Sequence, residues 1–161
     1  MEVTDSITAS EKITITVFQS GGLVSHTRLL AKMAENEQEE YKVVALATAT
    51  VLMGAAALEA LLSEAAYVLN PDLYDKNNFR LCGVPEKFKK LMGYKSQEVE
   101  LIWAARKAVA HSEPQNSRSR FVGIKLNASG ASWVTNTIEQ VASEVWGESM
   151  PNWFKNGAGL A

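Results

Sequence analysis

Arg106 and His111 are the two residues whose types and spacing could do chemistry. They lie in the stretch 101–114, LIWAARKAVAHSEP, which has the pattern of a helix that ends just before Pro114. A cation and an imidazole that titrates near neutral pH can form an active site at a helix terminus. They can equally be surface residues, with the histidine favoured there by the helix dipole. The elements around them must decide between these two interpretations.

No other complete catalytic or metal-binding motif is present. The chain has two histidines, His26 and His111, and neither has the spacing of a metal-ligand cluster. Glycine-rich phosphate loops and nucleophile elbows are also missing from the sequence. Cys82 is the single cysteine, so no intramolecular disulfide can form and a reducing cytoplasm is expected. The sequence predicts neither a metal nor a cofactor, and its first residues lack signal-peptide features.

Charge is unevenly distributed along the chain. The whole chain carries −2, whereas residues 71–125 hold eleven Lys and Arg against six Asp and Glu, a net charge of +5. A local basic surface can contact phosphates even on an acidic protein. Ordinary scatter of surface charge is the alternative explanation.

A long apolar helix over residues 39–69 is the clearest element. Apolar or small residues recur at alternating steps of three and four. They are Val44, Thr48, Val51, Ala55, Leu58, Leu62, Ala65 and Leu69. The uncharged run is shorter than the ~20 residues that a membrane span needs, so we predict a buried core helix and no membrane partner.

Further helices are expected at about 25–40, 85–94, 96–113 and 131–146, with one extra turn at 151–155. In the second of these, Lys87 is predicted to face outward. In the third, Val99, Ile102, Trp103 and Val109 are expected to be buried, with Arg106 on the same stripe. Two alternating runs, 12–18 and 120–126, have the period of short strands. The sequence therefore predicts one mainly all-α domain over 1–161, a four- or five-helix bundle with a small two-stranded β accessory.

Within this domain we expect three parts. Residues 1–24 form an extended arm, 25–114 form the helical core, and 115–161 contain a loop, a short strand and the last helix. Residues 157–161 are expected to be a frayed tail.

Glu59 interrupts the apolar face of the central helix. A partly buried carboxylate needs a partner, since burying it alone costs several kcal/mol. One interpretation is a structural ion pair, for which Arg106 could pair with Glu59 or Glu64. The other is that Glu59 supports a site by orienting Arg106 or His111.

The segment 105–111, ARKAVAH, resembles the Arg-x4-His motif of HEPN domains, all-helical proteins of prokaryotic defence systems and toxin–antitoxin pairs. The preceding segment 56–64, AALEALLSE, is similar to the long helix of that family that bears an acidic or polar residue. The resemblance covers roughly residues 40–115 and leaves both ends of the chain unaccounted for. It implies a helical bundle of the HEPN-like type.

The resemblance implies a metal-independent endoribonuclease, in which the ribose 2′-OH attacks the adjacent phosphate. His111 would then be the general base or acid, and Arg106 would stabilise charge on the phosphoryl oxygens. Lys107, Arg118 and Arg120 would contact RNA. A homodimer across the motif is implied, as is an antitoxin or nucleotidyltransferase-type partner.

The chain also departs from the family pattern. Many members carry Asn or Asp directly after the Arg, where this chain has Lys107, and this favours a non-catalytic module that binds RNA, a nucleotide or a partner protein. Five residues turn an ideal helix by about 500°, so Arg106 and His111 lie roughly 140° apart around one straight helix. Their convergence requires the helix to end near Ala110 or a second subunit.

Overall fold

The computed structural model describes residues 18–76, 78–110 and 124–160 of the 161-residue chain. All regular structure in these residues is helical. The helices are α1 (Ser20–Asn36), α2 (Glu40–Leu69), α3 (Pro71–Asp75), α4 (Val84–Met92), α5 (Gln97–Ala110), α6 (Ala128–Trp146) and α7 (Asn152–Ala158), with single 3-10 turns at Phe79–Leu81 and Gly147–Ser149. The predicted mainly all-α class is confirmed, whereas the HEPN-like bundle type stays a prediction.

Helix α2 lies at the centre and packs against α1, α4, α5 and α6. Its predicted apolar stripe is buried from Val51 to Ala65 but exposed at both ends, at Val44 and Leu69. The 30-residue helix, with a mean hydropathy of 1.8 over 18 residues, is long and apolar enough to cross a membrane by length and composition. The core helix of a soluble protein passes the same test, and 39% of that window is buried against neighbouring helices.

Helix α1 begins earlier than the sequence predicted. Residues 20–24 were expected to be extended, yet α1 starts at Ser20 and includes both glycines that follow it. The buried Glu64 carboxylate on α2 explains this start, because it accepts hydrogen bonds from the backbone N–H groups of Gln19 and Ser20 and from the Ser20 hydroxyl. It thereby satisfies donors that a helix N-terminus leaves free. The rest of the predicted arm, residues 1–17, lies outside the described residues.

The glycine at position 21 lets α7 approach this helix start closely. A Cβ atom on Gly21 would lie 2.8 Å from the carbonyl oxygen of Phe154, so a larger residue would force the helices apart. Arg28 fastens the same contact, since its guanidinium donates to Glu139 on α6 and to the carbonyl oxygen of Ala158 at 2.6 Å. Helix α7 thus extends to Ala158, and the prediction that the tail frays from residue 157 was wrong.

The connection between α2 and α4 contains α3 and a 3-10 turn whose Phe79 is fully buried. The prediction that Lys87 faces outward was wrong, because its side chain is only 3% exposed. Its aliphatic stem packs between α4 and α2, and Nζ lies 3.0 Å from Ser63 Oγ and 3.5 Å from Glu59 Oε1. A lysine can bury its stem in this way while the ammonium keeps polar partners.

Helix α6 starts at Ala128 because the side chain of Asn127 accepts a hydrogen bond from the Gly130 N–H at 2.9 Å. Residues 124–126 precede this cap without strand pairing, so the part of the predicted second strand that is described is not a strand. The remaining residues of both predicted strands, 12–17 and 120–123, lie outside the described residues.

Candidate functional site

Helix α5 presents Arg106 and Lys107 near its C-terminal end. The helix begins after Ser96, whose hydroxyl oxygen accepts from the Val99 N–H at 3.2 Å, as the sequence predicted for an N-cap. Val99, Ile102 and Ala105 are fully buried and dock α5 onto the core. Other inward candidates are only partly buried: they are Trp103, Arg106 and Val109.

Trp103, Arg106 and Lys107 form a compact group that we call the cation–indole cluster. The Arg106 guanidinium carbon lies 4.7 Å from the centroid of the Trp103 ring, and Lys107 Nζ lies 5.9 Å from it. Both distances are within the range of cation–π attraction. Neither cation makes a salt bridge with a described residue. The cluster is therefore positively charged without an assigned counter-charge in the part of the chain that the structure describes.

The two carboxylates of α2 are engaged elsewhere. The Glu59 side chain is 50% exposed and pairs with Lys87, so the interpretation of Glu59 as part of a structural ion pair is confirmed, with Lys87 as its partner. The support of His111 by Glu59 stays a prediction. Glu64 is buried and caps α1. The interpretation that pairs Arg106 with Glu59 or Glu64 was wrong, because Glu59 pairs with Lys87 and Glu64 accepts hydrogen bonds from the start of α1.

His111, Arg118 and Arg120 lie outside the described residues. The structure describes α5 up to Ala110, so it gives no distance from Arg106 to His111. Of the predicted site residues, it places Arg106, Lys107 and Glu59, and it brings the first two together on one indole. No group of three or more His, Cys, Asp or Glu side chains that could hold a metal occurs among the described residues.

The basic half of the chain is partly neutralised on folding. Lys87 is buried beside Glu59, and Lys76 lies 4.0 Å from Asp72 across one turn of α3 and its C-terminal end. Because Lys76 and Lys87 are paired with carboxylates, the net charge of +5 over residues 71–125 overstates the unpaired positive charge there. The cation–indole cluster stands out from these pairs because its two cations make no ion pair with a described residue.

Sequence reasoning missed the role of Trp103, which it assigned to the core. The signal was present in the spacing, because residues three and four positions apart share one face of a helix. Trp103 stands three positions before Arg106 and four before Lys107, so both cations can reach its ring.

Comparisons of the chain with protein-family models, with curated proteins and with solved structures give no significant match. The function is therefore argued from the residues and their geometry.

Proposed function

We propose that this protein is a HEPN-like endoribonuclease that cleaves RNA without a metal, in defence or growth arrest in the cytoplasm. The observation that carries the proposal is the Arg106 guanidinium, which is partly buried against Trp103 and has no carboxylate partner among the described residues. A structural arginine at a partly buried position is normally neutralised by an acid. With no acid beside it among the described residues, the Arg106 guanidinium can donate to a phosphate.

In the proposed reaction the ribose 2′-OH attacks the adjacent phosphorus and the P–O5′ bond breaks. The products are a 2′,3′-cyclic phosphate and a free 5′-OH. His111 removes the proton from the 2′-OH or delivers one to the leaving O5′, for which an ordinary histidine pKa near ~6.5 is suited. Arg106 donates hydrogen bonds to the non-bridging oxygens as negative charge develops there. Lys107, Arg118 and Arg120 hold the neighbouring phosphates.

We further propose that two copies meet across this motif, so that a twofold axis brings the histidine of one copy to the arginine of the other. Such an arrangement overcomes the angular separation of positions 106 and 111 around one helix. An antitoxin or nucleotidyltransferase-type protein would be the regulatory partner.

Cleavage of a labelled RNA in EDTA tests the proposal. We expect the wild-type protein to cleave and His111→Ala to lose at least about a hundredfold in rate, which is the usual contribution of general acid–base catalysis. His26→Ala is the matched control, because His26 is an exposed histidine on α1 and should leave the rate unchanged. Cleavage that depends on added divalent metal would contradict the proposal.

The second candidate is a non-catalytic HEPN-like module that binds RNA, a nucleotide or a partner protein. The observation that favours it is Lys107, which stands where many family members have Asn or Asp and whose ammonium shares the Trp103 ring with Arg106. Two adjacent cations suit anion binding, whereas a second cation beside the site adds no proton acceptor. RNA binding that needs Lys107, together with no cleavage product in EDTA or with metal, would select this function.

A further inference from the structure

The cation–indole cluster places two positive groups on one ring. Like charges repel each other, and the repulsion grows where part of the surrounding water is excluded. Helical spacing explains why both side chains reach Trp103, and within the described part of the chain no acid pairs with either of them.

Other cations that lie over aromatic rings are arranged differently. Lys42 lies over Tyr41 and also pairs with Glu39, and Lys87 lies over Phe79 and also pairs with Glu59. Arg80, whose guanidinium carbon lies 5.6 Å from the centroid of the Tyr74 ring, is an exposed residue that water can solvate. Arg106 differs from these three cations because it is partly buried and forms no ion pair with an acid among the described residues.

The indole of Trp103 is held in place by its contacts with the core and with the turn before α4. Its side chain packs against the main hydrophobic core, and the turn before α4 runs close to the indole. A methyl group added to Gly83 would lie 3.5 Å from Trp103 Nε1, in ordinary van der Waals contact. The ring is therefore a fixed surface that can set the orientation of a flexible guanidinium.

We propose that Trp103 is the positioning residue of the site, and that it holds Arg106 and Lys107 together as a paired cationic group for a phosphodiester of single-stranded RNA. The identity of this ligand rests on the function proposed above. An indole attracts a cation without cancelling its charge, whereas a carboxylate would neutralise it. The planar guanidinium carries five N–H donors, so those of Arg106 that do not face the ring stay available for two phosphate oxygens.

The test measures binding of a single-stranded 2′-O-methyl RNA oligonucleotide by fluorescence anisotropy. This probe has no 2′-OH nucleophile, so binding is measured separately from cleavage. We expect Trp103→Leu to weaken binding by roughly two- to fivefold, the range for one cation–π contact, and Trp103→Phe to restore most of it. Tyr74→Leu is the matched control, since it removes the ring beneath Arg80 and should leave the affinity unchanged.

A double-mutant cycle separates positioning from a purely structural role. In an Arg106→Gln, Lys107→Gln background, Trp103→Leu should have no further effect on affinity, because the groups it positions are gone. The salt dependence provides a second readout. The slope of log K against log salt is negative, and the loss of two phosphate contacts in the Arg106→Gln, Lys107→Gln variant should reduce its magnitude by about 1.4, at roughly 0.7 per contact for single strands. Trp103→Leu should also reduce the magnitude of that slope.

Equal losses from Trp103→Leu in both backgrounds, or wild-type affinity in Trp103→Leu, would overturn the proposal, as would no binding by the wild-type protein. The outcome is distinguishable from that of the proposed function. Trp103-dependent binding without cleavage would retain the positioning role and reject the ribonuclease. RNA cleavage whose Michaelis constant is insensitive to Trp103 would do the reverse.

Discussion

Replacement of Glu64 is the strongest test of how the fold is held together. Its carboxylate accepts from the Gln19 N–H, the Ser20 N–H and the Ser20 hydroxyl, and Ser20 is completely buried. Glu64→Ala leaves the two Ser20 donors without a partner, at about 1–3 kcal/mol each. Gln19 is exposed and can bond to water, so its contribution is small. The expected loss in free energy of unfolding is about 2–6 kcal/mol, a large part of a typical domain's stability.

Thermal unfolding followed by circular dichroism measures this loss. At about 2–4 °C per kcal/mol for a chain of this size, Glu64→Ala should lower the Tm by roughly 4–24 °C. Glu64→Gln keeps one acceptor oxygen and should fall between the wild type and Ala. Glu35→Ala, which removes an exposed carboxylate from α1, serves as the control and should shift stability by less than about 0.5 kcal/mol. A Tm for Glu64→Ala within 2 °C of wild type, about the control's own shift, would refute the capping role of this carboxylate.

Three further predictions concern other contacts. For the Lys87–Glu59 ion pair, Glu59→Ala should lower the free energy of unfolding by about 1–3 kcal/mol, because it leaves the buried Lys87 charge without its partner. Lys87→Met leaves only the half-exposed Glu59 and should change the free energy of unfolding by no more than about 1 kcal/mol. Urea unfolding compares the two variants. Gly54→Ala should cost about 1 kcal/mol in the same assay, since its Cβ would lie 2.7 Å from Val134 Cγ1 and this overpacking outweighs the gain in helix propensity. The hydrogen bond that Tyr94 donates to Glu144 raises the pKa of the tyrosine in the folded protein. The stability contributed by this hydrogen bond is full below the ordinary tyrosine pKa of about 10 and is lost as the pH rises through the raised pKa of the folded state. Tyr94→Phe should remove a component at high pH from the phenolate absorbance titration.

The helices could be predicted where hydrophobic periodicity was long and the caps were local. The central helix was placed within one residue of its start, and Ser96 was recognised as an N-cap, because these signals lie within a few residues of each other. The prediction of where α1 starts was wrong for the opposite reason. The N-terminus of α1 is capped by Glu64, more than forty positions away in sequence. Without knowledge of that contact, the local Ser-Gly-Gly pattern predicts a break rather than a helix start.

The side-chain assignments that failed were those decided by tertiary contacts. Lys87 stands on a helix rich in lysines and has the pattern of a solvated residue, but the gap between α4 and α2 buries its stem. That burial makes Lys87, rather than Arg106, the ion-pair partner of Glu59. The sequence could therefore name Arg106 and Lys107 as candidates, whereas the position of the Trp103 ring beside both cations depends on how the ring packs against the core.

The most direct test of the proposed ribonuclease is to cleave, in EDTA, an RNA oligonucleotide and its copy with one 2′-deoxy residue at the cleaved position. We predict that the wild-type protein cuts the all-ribose strand to a 2′,3′-cyclic phosphate and a 5′-OH, spares the deoxy position, and loses this activity with Arg106→Ala. Cleavage at the deoxy position, or full activity of Arg106→Ala, would contradict the proposal.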